Sequence, residues 1–120
     1  MYSSPHAPLE FPQLPLADFV LARAGQRGKR AALICAVTGR TIAYEELPGL
    51  VDGTAAGLGA LGIRKGDVCA VFAPNSPDYV IAMLALARLG AVTTTASPAY
   101  TKDDLKKQLE DSRARVLLTS

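Results

Sequence analysis

Few residues in this sequence have the type and spacing that catalysis or metal binding requires. The 120 residues include one histidine, His6, and two cysteines, Cys35 and Cys69. No CxxC pair and no paired Cys and His spacing occurs, so the sequence does not predict a zinc site. Each cysteine lies in an apolar run and is predicted to be a small buried side chain in a reduced compartment. His6 lies in a Pro-rich segment without the rigid surroundings of a general base.

Residues 57–62 (GLGALG) match the G-x-G-x-x-G pattern of dinucleotide-binding proteins. In that fingerprint the glycines follow a strand and begin a helix, so that the pyrophosphate meets the helix N-terminus. Here they end a predicted helix and precede a predicted strand, and we interpret them as small residues at a helix end. A redox protein of the Rossmann type is an alternative that micromolar binding of NAD in a titration would support. The P-loop pattern and the G-x-S-x-G pattern are absent.

Two further segments have polar residues that suggest anion binding. Residues 75–78 (NSPD) lie between a predicted strand and a predicted helix, where backbone N–H groups bind anions. Ser76 and Asp78 can satisfy those donors themselves, so we favour a structural cap. Arg27, Lys29 and Arg30 form the densest basic cluster, which we interpret as a solvated turn rather than a phosphate or polyanion site. The net charge of +2 does not indicate nucleic-acid or membrane binding.

The elements that position these residues alternate between helix and strand, and the predicted fold class is α/β. We expect a parallel sheet built from βαβ units with right-handed crossovers, flanking helices and a small N-terminal hairpin. Residues 1–15 are predicted to be an extended Pro-rich lead-in, and residues 16–120 an incomplete N-terminal part of a larger domain. The predicted helices are 16–26, 45–61, 77–89 and 102–111, and the predicted strands are 31–36, 40–44, 68–73, 91–96 and 115–119.

Local signals fix several ends of these elements. Ser76 is a predicted N-cap, Gly90 a predicted left-handed C-terminal residue, and Thr101 with Asp104 a predicted capping box. Residues 68–73 form a nearly continuous apolar run, which predicts a strand buried on both faces. The helix 45–61 is predicted to bury one apolar face, made of Leu47, Leu50, Val51, Ala55, Leu58 and Leu61.

The N-terminus has four prolines within 15 residues and no apolar segment typical of a signal peptide. The longest apolar run, 79–87, is too short to span a bilayer. We therefore expect a cytoplasmic protein, or a peroxisomal one if a C-terminal signal lies beyond this sequence. Because the sequence stops directly on a predicted strand, we expect it to be a truncated piece of a longer chain.

Several short motifs occur in the same order as in one known superfamily. Residues 40–47 (RTIAYEEL) resemble its [TS]-Y-x-E-L motif, and residues 57–68 (GLGALGIRKGDV) resemble its G-L-x-x-L-G-V-x-x-G-D-x-V segment. Residues 74–79 (PNSPDY) resemble a P-N-S-P-E-[FY] turn. Residues 87–92 (ARLGAV) resemble A-x-x-G-A-V, and residues 97–101 (SPAYT) resemble N-P-x-Y-T. Residues 108–116 (QLEDSRARV) resemble Q-L-x-D-S-x-A-x-V. Each motif is weak alone, but the ordered set resembles adenylate-forming enzymes: acyl-CoA synthetases, luciferases and peptide-synthetase adenylation domains.

The resemblance favours the 4-coumarate–CoA ligase-like branch and implies an acid–thiol ligase. Such an enzyme converts a carboxylic acid and ATP into an acyl-adenylate and pyrophosphate, and CoA then displaces AMP. It implies that the full-length enzyme uses ATP, CoA and Mg²⁺ and that this segment alone binds none of them tightly. The family's phosphate-binding loop, nucleotide contacts and catalytic lysine all come later in its sequences. We therefore assign no catalytic, cofactor-binding or metal-binding residue to this chain.

The sequence departs from the family pattern at Ser97, where Asn is common, and at Arg113, where Gly is common. Left-handed backbone at Arg113 would cost about 1–2 kcal/mol.

We expect the partners of this segment to be the remainder of the ligase and a small carboxylic acid from fatty-acid or phenylpropanoid metabolism, with no nucleic acid. We expect the segment alone to be inactive. The alternatives are a non-catalytic α/β module that binds a partner through an exposed apolar surface and a vestigial truncated product.

Overall fold

A computed structural model describes residue 5, residue 10 and residues 12–120. Most of the predicted lead-in at 1–15, including His6, lies outside the described residues. The remaining elements alternate as the α/β prediction requires: α1 (Leu16–Leu21), α2 (Ala24–Arg27), β1 (Ala31–Ile34), β2 (Thr41–Ala43), α3 (Leu47–Ala60), β3 (Val68–Phe72), α4 (Pro77–Arg88), β4 (Val92–Ala96), α5 (Lys102–Ser112) and β5 (Val116–Thr119).

The strands of the described residues form two separate sheets. β1 and β2 pair antiparallel, with Ala31 opposite Ala43 and Ile34 opposite Thr41, which confirms the predicted hairpin. The other three strands form a parallel sheet in the order β4-β3-β5. The predicted βαβ units are therefore confirmed, with β3 as the central strand.

The core forms where α3 and α4 pack on the central strand. Cys69, Ala70 and Val71 of β3 are buried, as expected for a strand covered on both faces. From the helices, the core includes Val51 and Leu86, neither of which is exposed to solvent. Small and medium apolar residues thus allow two helices to approach one face of a short sheet.

The predicted apolar face of α3 is partly wrong. Leu47, Val51, Ala55 and Leu58 are buried, but Leu50 is 38% exposed and Leu61 is 81% exposed. Leu50 lies roughly a quarter turn from the centre of the buried face. Leu61 is the C-cap residue, where the backbone has left helical geometry (φ −72°, ψ 0°), so its side chain no longer follows that face.

The single helix predicted at 16–26 is also wrong, because α1 and α2 are separate. Arg23 interrupts them with φ −109° and ψ 10°. Short helices depend on tertiary packing, and only the small set Ala17, Leu21 and Ala24 is buried here. The larger side chains of α1, Leu16, Phe19 and Val20, are exposed to solvent.

Side-chain ion pairs tie α4 to its neighbouring helices. Arg88, in the last turn of α4, pairs with Asp18 of α1 and donates to Asp52 Oδ1 of α3 at 2.9 Å from its Nε. One guanidinium therefore bridges two acidic side chains from different elements. The arrangement fixes the relative positions of α1, α3 and α4 at the end of α4 farthest from Ser76.

The predicted helix ends are confirmed. Ser76 Oγ accepts a hydrogen bond from the Tyr79 N–H at 3.2 Å at the start of α4. Gly90 has φ +70°, the left-handed conformation expected just after α4. Thr101 and Asp104 form a reciprocal capping box, in which Thr101 Oγ1 accepts from the Asp104 N–H at 3.2 Å.

Arg113, which ends α5, has a left-handed backbone with φ 53° and ψ 39°. A Cβ atom is strained in this conformation, whereas glycine adopts it freely. We expect Arg113→Gly to raise the free energy of unfolding by about 0.5–1 kcal/mol, after subtracting the extra entropy of glycine in the unfolded chain. Urea unfolding measures this change. The same replacement at exposed Lys107 in the middle of α5 should destabilise by about 1 kcal/mol, and equal effects at both positions would contradict the prediction.

Asp67 links the loop before β3 to the start of β5. Its carboxylate accepts from the Arg64 N–H at 2.7 Å and from Arg115 Nη1 at 3.0 Å, and its side chain is only 19% exposed. The hydrogen bond from Arg64, followed by the one from Arg115, holds the pKa of Asp67 below its usual value of 3.8. The ionised form is therefore the one that stabilises the fold.

This shift predicts a pH-dependent effect of Asp67→Asn. A lowered folded-state pKa contributes stability that is fully present above the unfolded pKa, near 3.8, and is lost as the pH falls through the folded value. We expect the variant to unfold at lower urea than wild type at neutral pH, and the difference to narrow below about pH 4. Asp111→Asn, at an exposed position on α5, serves as the control and should change little. A difference in unfolding between Asp67→Asn and wild type that does not vary with pH would refute this explanation.

Candidate functional site

The strand order creates a topological switch in the parallel sheet. The connection through α4 runs from β3 to β4 on one side, and the connection through α5 crosses back to β5 on the other. With right-handed crossovers, the two helices must cover opposite faces. The structure agrees, because Cys69 and Val71 pack in the core with α4, whereas Gln108 of α5 donates to Thr94 Oγ1 at 2.9 Å. Thr94 is paired with Ala70 and therefore points to the other face.

Ligands of open α/β sheets bind at such a switch, in the crevice outside the carboxyl ends of the strands. For this sheet the crevice lies between the carboxyl ends of β3 and β5. A cavity of about 230 Å³, which we call the switch-point cavity, occurs at this position. It is lined by Thr54, Leu58, Val71, Ala73, Ser76, Asp78, Tyr79, Ala82, Leu118, Thr119 and Ser120.

Three elements besides β3 contribute to the switch-point cavity: α3 supplies Thr54 and Leu58, the start of α4 supplies Ser76 and Tyr79, and β5 supplies Leu118. The sequence singled out Ser76 and Asp78 but did not bring the α3 and β5 residues to the same place. The sequence could have indicated this site through the residues at the carboxyl ends of the predicted strands. Those positions identify a ligand site only when the strand order is known.

The start of α4 serves mainly as a structural cap, as the sequence indicated. The Ser76 hydroxyl oxygen accepts a hydrogen bond from the Tyr79 N–H. The Asp78 carboxylate accepts two hydrogen bonds from Arg40 Nη1, each at 3.0 Å. Arg40 lies just before β2, so this ion pair also attaches the hairpin to α4. The ion pair between Asp78 and Arg40 occupies the place where an anionic ligand would approach the helix.

The described residues that line the switch-point cavity are mostly neutral. Apart from the hydroxyls of Thr54, Ser76 and neighbouring residues, the walls are mostly apolar, and no Lys or Arg of residues 12–120 lines the switch-point cavity. A triphosphate requires cationic or backbone donors, whereas the Asp78 carboxylate at the rim of this cavity is already paired with the Arg40 guanidinium at 3.0 Å. Its volume is below the roughly 300–1,000 Å³ of typical ligand pockets. It suits a small apolar group better than a phosphate.

A second groove, of about 270 Å³, lies between the hairpin and the start of α4 and includes Cys35. Cys35 is partly exposed, so its predicted burial is wrong, because β1 ends at Ile34 and the thiol lies in the turn. A hydrogen bond from the Thr38 side chain lowers the pKa of Cys35. Cys69 is buried as predicted, and this burial raises the pKa of its thiol.

The glycine-rich segment and the basic cluster line neither the switch-point cavity nor the groove that includes Cys35. Gly57 and Gly59 lie in the last turn of α3, and Gly62 lies in the turn that leads to β3, so the polarity of the G-x-G-x-x-G match is opposite to that of the dinucleotide fingerprint. The basic cluster Arg27, Lys29 and Arg30 is solvent-exposed, with Arg27 stacked 5.0 Å above the Tyr44 ring. This placement agrees with a solvated turn.

Residues 12–120, with 5 and 10, contain no group of three His, Cys, Asp or Glu side chains arranged to hold a metal ion. Within the same residues, no helix is long and apolar enough to cross a membrane.

The model of the AMP-binding enzyme family matches residues 20–120. The chain is 42% identical over 106 residues to 4-coumarate–CoA ligase 5 of Oryza sativa subsp. japonica, covering 88% of this chain and 20% of the relative. It is 40% identical over 110 residues to 4-coumarate–CoA ligase 4 of Arabidopsis thaliana, covering 88% and 19%. The chain thus spans about a fifth of the length of these relatives.

Solved structures agree with this assignment. A long-chain-fatty-acid-CoA ligase (FadD1) from Archaeoglobus fulgidus superposes with a TM-score of 0.88 at 31% identity, covering 98% of this chain and 25% of that one. The N-terminal subdomain of Klebsiella oxytoca NpsA, in complex with 3-hydroxyanthranilyl-AMSN, gives a TM-score of 0.82 at 30% identity, covering 88% and 26%. The ordered motifs, the parallel α/β sheet and these matches together show that the chain belongs to the AMP-binding enzyme family of adenylate-forming enzymes.

Proposed function

We propose that this chain is the N-terminal segment of an ATP-dependent acid–CoA ligase that activates a carboxylic acid as an acyl-adenylate and transfers it to CoA. The observation that carries the proposal is the 42% identity to a 4-coumarate–CoA ligase across 88% of the chain. The similarity to a long-chain-fatty-acid-CoA ligase over 98% of the chain supports the same reaction class. We infer that the acid is an aryl or a fatty acid.

The complete enzyme would use ATP, CoA and Mg²⁺, and we propose that this segment binds none of them tightly alone. Among the described residues no Lys or Arg lines the switch-point cavity, and the ion pair between Asp78 and Arg40 occupies its rim. We therefore derive no catalytic step from the described residues. The segment would instead supply β3, β4 and β5 and the apolar wall formed by Leu58, Val71 and Leu118.

The size of the native product tests this proposal. An antibody against the segment should detect, in an extract of the source organism, a protein several times larger than 12.6 kDa. That protein should catalyse exchange of pyrophosphate into ATP when 4-coumarate or a long-chain fatty acid is supplied, and purified 120-residue chain should not. A native band at the size of this chain would overturn the proposal that the segment serves a ligase.

A partner-binding module is the second candidate, and one observation favours it. Leu14, Leu16, Phe19 and Val20 are all more than half exposed and close together in sequence. Exposed apolar groups of this kind mark interaction surfaces. Two results would support this function instead. The native band would have the size of the chain, and a partner would co-purify with the wild-type chain but not with the Phe19→Ser variant.

We also propose that the protein is cytoplasmic. Fractionation of the source cells, with the same antibody, tests this location. Recovery with peroxisomes would indicate a targeting signal elsewhere in the native protein.

A further inference from the structure

No further inference is drawn: the strongest candidate, the groove of about 270 Å³ between the hairpin and the start of α4, has the lone thiol of Cys35 on its wall, and nothing in the structure shows what covers it.

Discussion

Replacing Leu86 with alanine should lower the free energy of unfolding by about 2–5 kcal/mol. Leu86 lies in α4, has no solvent exposure and belongs to the core formed with α3 and β3. The substitution removes buried apolar surface and leaves a cavity that the surrounding close-packed side chains fill only partly. For a domain of this size, the loss is a large share of the total stability.

Urea unfolding followed by circular dichroism measures this effect, and the chain offers a matched control. Leu61→Ala is the same substitution at a position 81% exposed, and it should change the unfolding free energy by less than about 0.5 kcal/mol. Equal losses at the two positions would show that α4 does not pack on the sheet as described.

Gly90→Ala should destabilise the chain by about 1–3 kcal/mol, because two effects combine at this glycine. Its backbone is left-handed, with φ +70°, and an added Cβ atom would lie 2.9 Å from Lys65 Cγ. Lys65 cannot simply move away, since the adjacent Gly66 N–H donates to the Gly90 carbonyl at 2.9 Å. The loop before β3 and the turn after α4 are therefore locked together.

Thermal or urea unfolding of Gly90→Ala should be compared with Gly25→Ala. Gly25 in α2 has no left-handed backbone, and an added Cβ would meet no atom within 4 Å. The control should be neutral or slightly stabilising, because alanine reduces the entropy of the unfolded chain. A Gly90→Ala protein as stable as wild type would refute the close contact with Lys65.

The sequence alone determined the features that depend on neighbouring residues. The cap at Ser76, the capping box at Thr101 and the left-handed residue Gly90 follow from interactions within a few positions, and the structure confirms each of them. The order of helices and strands followed from hydrophobic periodicity. The resemblance to adenylate-forming enzymes also came from motifs along the chain, and comparison confirmed it.

Only the tertiary structure decided what depends on segments far apart in sequence. Periodicity could not show that Leu50 and Leu61 point away from the core, or that Cys35 lies in an exposed turn. It also could not give the strand order β4-β3-β5, which places Leu58 and Leu118 around one cavity. Strand order and burial are set by which surfaces pack together, and a local pattern of apolar residues is compatible with several such arrangements.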